Sequence, residues 1–156
     1  MLALNTKAPS FTLKNQNDEN VSLADFSGKW LVLYFYPKAL TPGCTTQACG
    51  LRDIQKELEA LNATALGVSA DSPEKLKKFT EKYHLNFTLV GDTSENKDML
   101  KAYQAWGRKK FMGKEYDGIF RITYIVNPTG NIAHTIETVK TKSHHDDVLA
   151  WLKENA

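Results

Sequence analysis

The chain has 156 residues, 42% of them hydrophobic and 24% charged, with a formal net charge of +2. That length supports one domain over residues 1–156 with a sizeable core, and no repeat, low-complexity tract or linker divides it. So small a charge without a basic cluster selects neither nucleic acid nor an acidic membrane, and no apolar run reaches the length of a membrane span.

The Met1-Leu2-Ala3-Leu4 start lacks a basic n-region and a long apolar stretch, so no signal peptide is expected and the cytoplasm is the expected setting. Extended segments are predicted around Phe11-Thr12-Leu13 and Val21-Ser22-Leu23, with the polar stretch 15–20 as the turn between them. Leu31 to Tyr36 is a continuous apolar run ended by Pro37, which predicts a buried strand. A helix should open at Pro42. Thr41 is pushed out of the α region by the following proline, as an N-cap requires, and Pro42 suits the first helical position. Ala48, Leu51, Ile54, Gln55, Leu58 and Leu61 recur at steps of three and four and predict one continuous amphipathic face.

Residues 63–69 predict a second core strand, joined to the first by a parallel, right-handed crossover. Ser72-Pro73-Glu74 opens a helix to about Tyr83, Phe87 to Val90 is a short strand, and a helix is expected from about Asn96 to Gln104. Gly107 to Gly118 reads as a polar, glycine-punctuated loop. In it Trp106, Phe111 and Met112 are expected to pack onto the core. Ile119–Val126 and Asn131–Glu137 are predicted strands around the turn Asn127-Pro128-Thr129-Gly130, and a last helix runs from about His145 to Glu154. The order gives an α/β fold, a mixed central sheet flanked by helices on both faces.

The only two cysteines, Cys44 and Cys49, fall on the predicted helix. Cys44 precedes Leu51 by seven residues and so belongs to the core-facing stripe. It sits in the first turn, where free N–H groups and the helix dipole stabilise a thiolate. Five residues advance an ideal helix by about 7.5 Å and turn it by about 500°, leaving the cysteines roughly 140° apart. Their Cα atoms are then about 8.6 Å apart, beyond the ~7 Å reach of a disulfide. Bonding the pair therefore requires the first turns of the helix to unwind. A two-residue spacing, as in thioredoxin-type pairs, is absent, and His84, His134, His144 and His145 show no ligand spacing to the cysteines, so no metal is expected. The residues point to redox chemistry.

Pro37-Lys38-Ala39-Leu40-Thr41-Pro42-Gly43-Cys44 fits the peroxiredoxin pattern Pro-x3-Thr-x2-Cys at every fixed position. With Cys49 five residues on, and with Phe111-Met112-Gly113-Lys114 and Tyr116-Asp117-Gly118-Ile119-Phe120-Arg121, the chain resembles the Q-type, bacterioferritin-comigratory thiol peroxidases from about Leu4 to Lys153. The resemblance implies a thioredoxin-like fold with an added N-terminal β-hairpin. It implies reduction of hydrogen peroxide and organic hydroperoxides without metal, haem or other cofactor, with thioredoxin or a similar dithiol as reductant. It makes Cys44 the peroxidatic and Cys49 the resolving cysteine. Thr41, Pro37 and Arg121 become pocket residues, with the Thr41 hydroxyl, the Cys44 N–H and the Arg121 guanidinium as donors to the departing oxygen. A monomer is expected.

The residues alone also fit a thiol–disulfide carrier, a redox sensor or a holdase-like module without peroxidase activity. Arg121 alternates with Ile119, Thr123 and Ile125 on one face of a predicted strand and could serve a structural ion pair. Gln47, three residues after Cys44, could face the pocket rim, but reads first as an ordinary helix-surface residue. His144-His145-Asp146-Asp147 reads as a helix N-terminus with acidic first-turn residues.

Overall fold

A computed structural model describes residues 1–156. Strand β1 (Thr12–Asn15) and β2 (Asn20–Ser22) form the N-terminal hairpin, and a 3-10 turn, Leu23–Phe26, follows. Next come β3 (Trp30–Phe35), helix α1 (Pro42–Asp53), helix α2 (Gln55–Ala60) and β4 (Ala63–Ser69). Helix α3 (Pro73–Tyr83), β5 (Thr88–Gly91) and helix α4 (Asp98–Ala102) lead to β6 (Trp106–Phe111) and β7 (Lys114–Ile119). The chain ends with β8 (Thr123–Val126), β9 (Ile132–Ile136) and helix α5 (His144–Asn155).

Seven strands make one mixed sheet in the order β2-β1-β5-β4-β3-β8-β9. The predicted crossover is parallel, pairing Trp30 with Ala63 through Phe35 with Val68, and β8 closes antiparallel on the other side of β3. Side chains alternate across a strand, so the run 31–36 serves both faces. Val32, Tyr34 and Tyr36 join a core with α1, α2, α3 and α5, where Leu51, Leu58, Phe79 and Val148 are buried. Leu31, Leu33 and Phe35 join a second core with α4, through Met99, Leu100 and Tyr103. The sheet is therefore flanked by helices on both faces. Its central strand β3 ends at the segment that carries Cys44.

Three expectations are corrected. First, the helix after Pro42 is not continuous: Ile54 leaves helical geometry (φ −107°, ψ 15°), and α2 starts anew at Gln55. The Leu51 carbonyl at the break accepts from the Ile54 N–H (3.3 Å) and from the Gln55 side chain (3.0 Å), so it stays satisfied through the bend. Second, residues 107–118 are not a loop but a two-stranded antiparallel ribbon, β6 and β7. Met112 (φ 51°) and Gly113 (φ 79°) turn it with two consecutive left-handed residues, the pattern of a tight two-residue hairpin. Phe111 and Met112 at its tip are exposed rather than packed on the core. Third, Ile119 belongs to the ribbon, so Arg121 lies in the bend between β7 and β8 and not within a strand.

One buried carboxylate ties the fold to the segment before Cys44. Asp71 Oδ2, just past β4, accepts from the Ala39 N–H (2.8 Å) and the Ser69 hydroxyl (2.8 Å). Gly91 gives Asp71 room, because a Cβ there would collide with the Asp71 carbonyl oxygen. Gly91→Ala is expected to displace Asp71 and lower stability by about 1–3 kcal/mol, the cost of overpacking a tight interior. Urea unfolding checks this, and an unchanged midpoint would contradict the role given to Gly91.

Candidate active site

Pro37 terminates the apolar run, and the chain then passes through Leu40 in a left-handed conformation (φ 69°) before reaching Thr41. That strained residue is held from both sides, by the Asp71–Ala39 bond and by the start of α1. Thr41 occupies the N-cap position in extended conformation, and its carbonyl accepts the first helical bond from Thr45 N (2.9 Å). Its hydroxyl does not cap the helix. It donates backward to the Lys38 carbonyl (2.7 Å), which leaves the Thr41 oxygen able only to accept. The N–H groups of Gly43 and Cys44 lie in the first turn, where no intrahelical acceptor exists.

Cys44 is buried (1% exposed), as its place on the core stripe requires. The Arg121 guanidinium covers it: Nη1 lies 3.4 Å from Cys44 Sγ and donates to Gln47 Oε1 (2.9 Å). Gly43 admits this cover, since a Cβ there would stand 3.3 Å from Arg121 Nη2. The space above Gly43 is thus occupied by the arginine. Cys49 is half-buried on the same helix and is a free thiol, as is Cys44. Both thiols sit on one unbroken α1, so the ~8.6 Å helical separation applies.

Of the residues singled out in the sequence, Cys44, Thr41 and Arg121 converge at the head of α1. Pro37 lines an adjoining cavity of about 370 Å³, with Lys38, Trp106, Lys109 and Tyr116 among its walls. Lys109, midway along β6, reaches back to donate to the Ile119 carbonyl (2.8 Å) at the base of the ribbon. Its amine is held below the usual lysine range by partial burial and then by the Arg121 charge. A larger cavity, about 550 Å³, lies at the opposite end of β3 around Leu31 and Val126 and contains none of the site residues.

Two polar residues escaped the sequence reading. Gln47 is fully buried, not a surface residue, and links Arg121 to His144: its Nε2 lies 3.3 Å from His144 Nδ1. His144, the first residue of α5, is fully buried as well, and its Nε2 lies 2.8 Å from Thr123 Oγ1. The i+3 spacing of Gln47 from Cys44 was the available signal, because residues three apart share a helix face. Nothing in the local pattern announced His144, since its partners are distant in the chain.

Burial, then the neighbouring charges of His145 and Arg121, push the His144 imidazole down to about 4. An unfolded histidine titrates near 6.5, so between these values the unfolded chain takes up the proton and the folded one does not. Stability is therefore fully present above about pH 6.5 and is lost as pH falls toward 4, by about 3 kcal/mol from this residue. Urea unfolding of the wild type and His144→Asn across pH 7 to 4 should show a larger acid loss in the wild type, by about 3 kcal/mol, over the loss from partly buried His134 that both share. Parallel losses in both proteins would contradict it.

The AhpC/TSA family model matches residues 4–135. Over 149 residues the chain is 52% identical to peroxiredoxin Bcp of Escherichia coli (strain K12), covering 96% of this chain and 94% of that protein. It is 44% identical over 153 residues to peroxiredoxin Bcp of Bacillus subtilis (strain 168), covering 98% of this chain and 96% of that one. Among solved structures, a cysteine-to-serine mutant of PrxQ from Xylella fastidiosa superposes with a TM-score of 0.91 at 31% identity, covering 99% of this chain and 97% of the other. The Bacterioferritin Comigratory Protein of Xanthomonas campestris, a protein with alkyl peroxide reduction activity, gives 0.85 at 34% identity, with 92% and 90% covered.

Proposed function

The chain belongs to the AhpC/TSA family as a peroxiredoxin with a thioredoxin-like fold, and we propose that Cys44 is its peroxidatic thiol and Cys49 its resolving one. The observation that carries this reading is a buried sulfur at a helix N-terminus with an arginine Nη1 at 3.4 Å. A cation and free N–H groups in a sheltered pocket favour a thiolate, which is the nucleophile. They are also fixed donors aimed where negative charge grows on the departing oxygen.

The Cys44 thiolate attacks one oxygen of a hydroperoxide. The S–O bond forms as the O–O bond breaks, and the departing oxygen takes a proton and leaves as water or an alcohol. Because the Thr41 hydroxyl already donates to Lys38, it meets the substrate as an acceptor for the peroxide O–H, not as the donor to the departing oxygen that the resemblance implied, and so turns the far oxygen toward Arg121. Pro37 and the walls of its cavity bound the approach. Cys44 is then a sulfenic acid. Cys49 attacks its sulfur, the S–S bond forms as the S–OH bond breaks, and the hydroxyl leaves as water with the Cys49 proton. Thiol exchange with an external dithiol, which we take to be thioredoxin, restores both thiols.

The resolving step works only if α1 opens, and its construction supports opening from one end. Gly43, Thr45 and Thr46 are poor helix formers, and Thr46 Oγ1 bonds back to the Pro42 carbonyl (3.1 Å). The far end is tied down. Arg52 Nη1 donates to the Tyr83 carbonyl (2.7 Å), Asn86 donates to the Arg52 carbonyl (3.3 Å), and Gly50 is packed against His145 with no room for a Cβ. Cys49 lies just before this anchor, so unwinding residues 42–48 swings Cys44 toward a nearly stationary partner. We read residues 1–156 as one domain that completes this cycle within one chain, as a monomer. A cytoplasmic setting fits reduction by a dithiol, and no helix is long and apolar enough to cross a membrane.

Cys44→Ser should abolish peroxide consumption. Cys49→Ser should complete a first turnover and stop as sulfenic acid, with steady-state turnover supported by thioredoxin down by at least about tenfold. Intact-mass and peptide mass spectrometry after one equivalent of hydrogen peroxide should find a Cys44–Cys49 bond in the wild type. Undiminished thioredoxin-supported turnover in Cys49→Ser would overturn the resolving role. A thiol–disulfide carrier, by contrast, would exchange with dithiols but leave peroxide untouched.

A further inference from the structure

We propose that His144 is a positioning residue for Arg121, acting through Gln47 as a neutral imidazole protonated on Nε2. The inference deepens the reading of Arg121 as the donor beside Cys44 and rests on it.

Arginine only donates, so the Gln47 atom that meets Arg121 Nη1 at 2.9 Å must be the carbonyl oxygen. That fixes the amide, and the other end of Gln47 is then its NH₂ group, aimed at His144 Nδ1 (3.3 Å). Two donors cannot face each other, so Nδ1 carries no proton. A neutral ring keeps its proton on Nε2, which donates to Thr123 Oγ1 (2.8 Å). The result is a one-way chain of donors: Arg121 to Gln47, Gln47 to His144, His144 to Thr123. Because Arg121 stands only two residues before Thr123, the chain closes on itself through the backbone.

Gln47, His144 and Thr123 are all fully buried, so each group would carry a desolvation cost if its partner failed. The charged and titratable neighbours of the ring are His145 and Arg121, with the Tyr34 ring against it at 5.9 Å between centroids. A second proton on His144 would put N–H against NH₂, turn the Gln47 amide and present its donors to Arg121. The guanidinium would then lose its acceptor and its aim at Cys44. Gln47 also lies between the two cysteines on α1, so the chain of bonds exists only while that helix is wound. Arg121 is therefore held in place in the thiol form and released when the disulfide forms.

Two readouts test this. Nitrogen-15 spectra of the reduced protein near neutral pH should show His144 with a bare Nδ1 and a protonated Nε2. This is read without peroxide and so holds or fails independently of the peroxidase assignment. The opposite tautomer would overturn the proposal. The second readout is the rate of Cys44 oxidation by peroxide, measured beside the reduction of the disulfide by thioredoxin. His144→Leu removes the acceptor and should slow the oxidation step by about tenfold or more, as misplacement of a catalytic group does, while leaving the reduction step within about twofold. His144→Asn places an amide oxygen where Nδ1 stood and should restore the oxidation rate to within about threefold of the wild type. If His144→Leu does not fold, Thr123→Val decides: it frees the tautomer and should slow oxidation by about threefold or more. Wild-type oxidation rates in the folded variants, equal slowing of both steps, or an Asn variant as slow as the Leu variant would each overturn the proposal.

Discussion

Cys44 and Cys49 ride on one helix, on faces about 140° apart, and no side-chain rotation can join them. Everything else in the site is arranged around that separation. The wound helix presents Cys44 to its first-turn N–H groups and to Arg121. The same winding keeps the second thiol away, so the first can meet an oxidant without being consumed by its neighbour. One element therefore has two jobs that cannot be done at once, and the chemistry must alternate between them.

The fold supplies a rigid frame for this movable piece. Strand β3 is central in the sheet, flanked by β4 and β8, and contributes to both cores, so its end is a fixed launching point. Asp71 holds the connection at Ala39, and the residues around Tyr83 and Asn86 hold the C-terminal end of α1. Between these anchors, the apolar burial of the first turns is slight: Cys44, Gln47 and Ala48 are the buried side chains, and one of them is polar. The bonds that do fasten this stretch pass through Gln47 to Arg121 and His144. Local stability is low where the helix must open and high where it must not.

Much of this was legible in the residues. The Pro37-to-Cys44 segment marked the site, because proline, N-cap and helix signals are local and act within a few residues. The continuous apolar run of 31–36 and the 3.6 periodicity after Pro42 likewise announced the central strand and the core face. The failures have physical causes. The ribbon 106–119 stands off the sheet with both faces largely exposed, so the alternation that identifies a half-buried strand was absent. Its remaining signals were the Met112-Gly113 turn and the opposite charges at paired positions, Arg108 with Asp117 and Lys110 with Glu115. The break at Ile54 was hidden because its side chain stays in the core stripe on either course. Gln47 and His144 were misjudged because their burial comes from Arg121 and Thr123, contacts that span more than twenty residues.

The central claim is that α1 melts at its head and not at its tail when the cysteines join. Amide hydrogen exchange of the thiol and disulfide forms, resolved along residues 43–60, measures this directly. The account predicts that the amides of residues 45–52, whose helical acceptors are the carbonyls of 41–48, lose protection by about tenfold or more in the disulfide form, while those of Asp53 and α2 keep theirs. Equal protection of the whole helix in the two forms would contradict it.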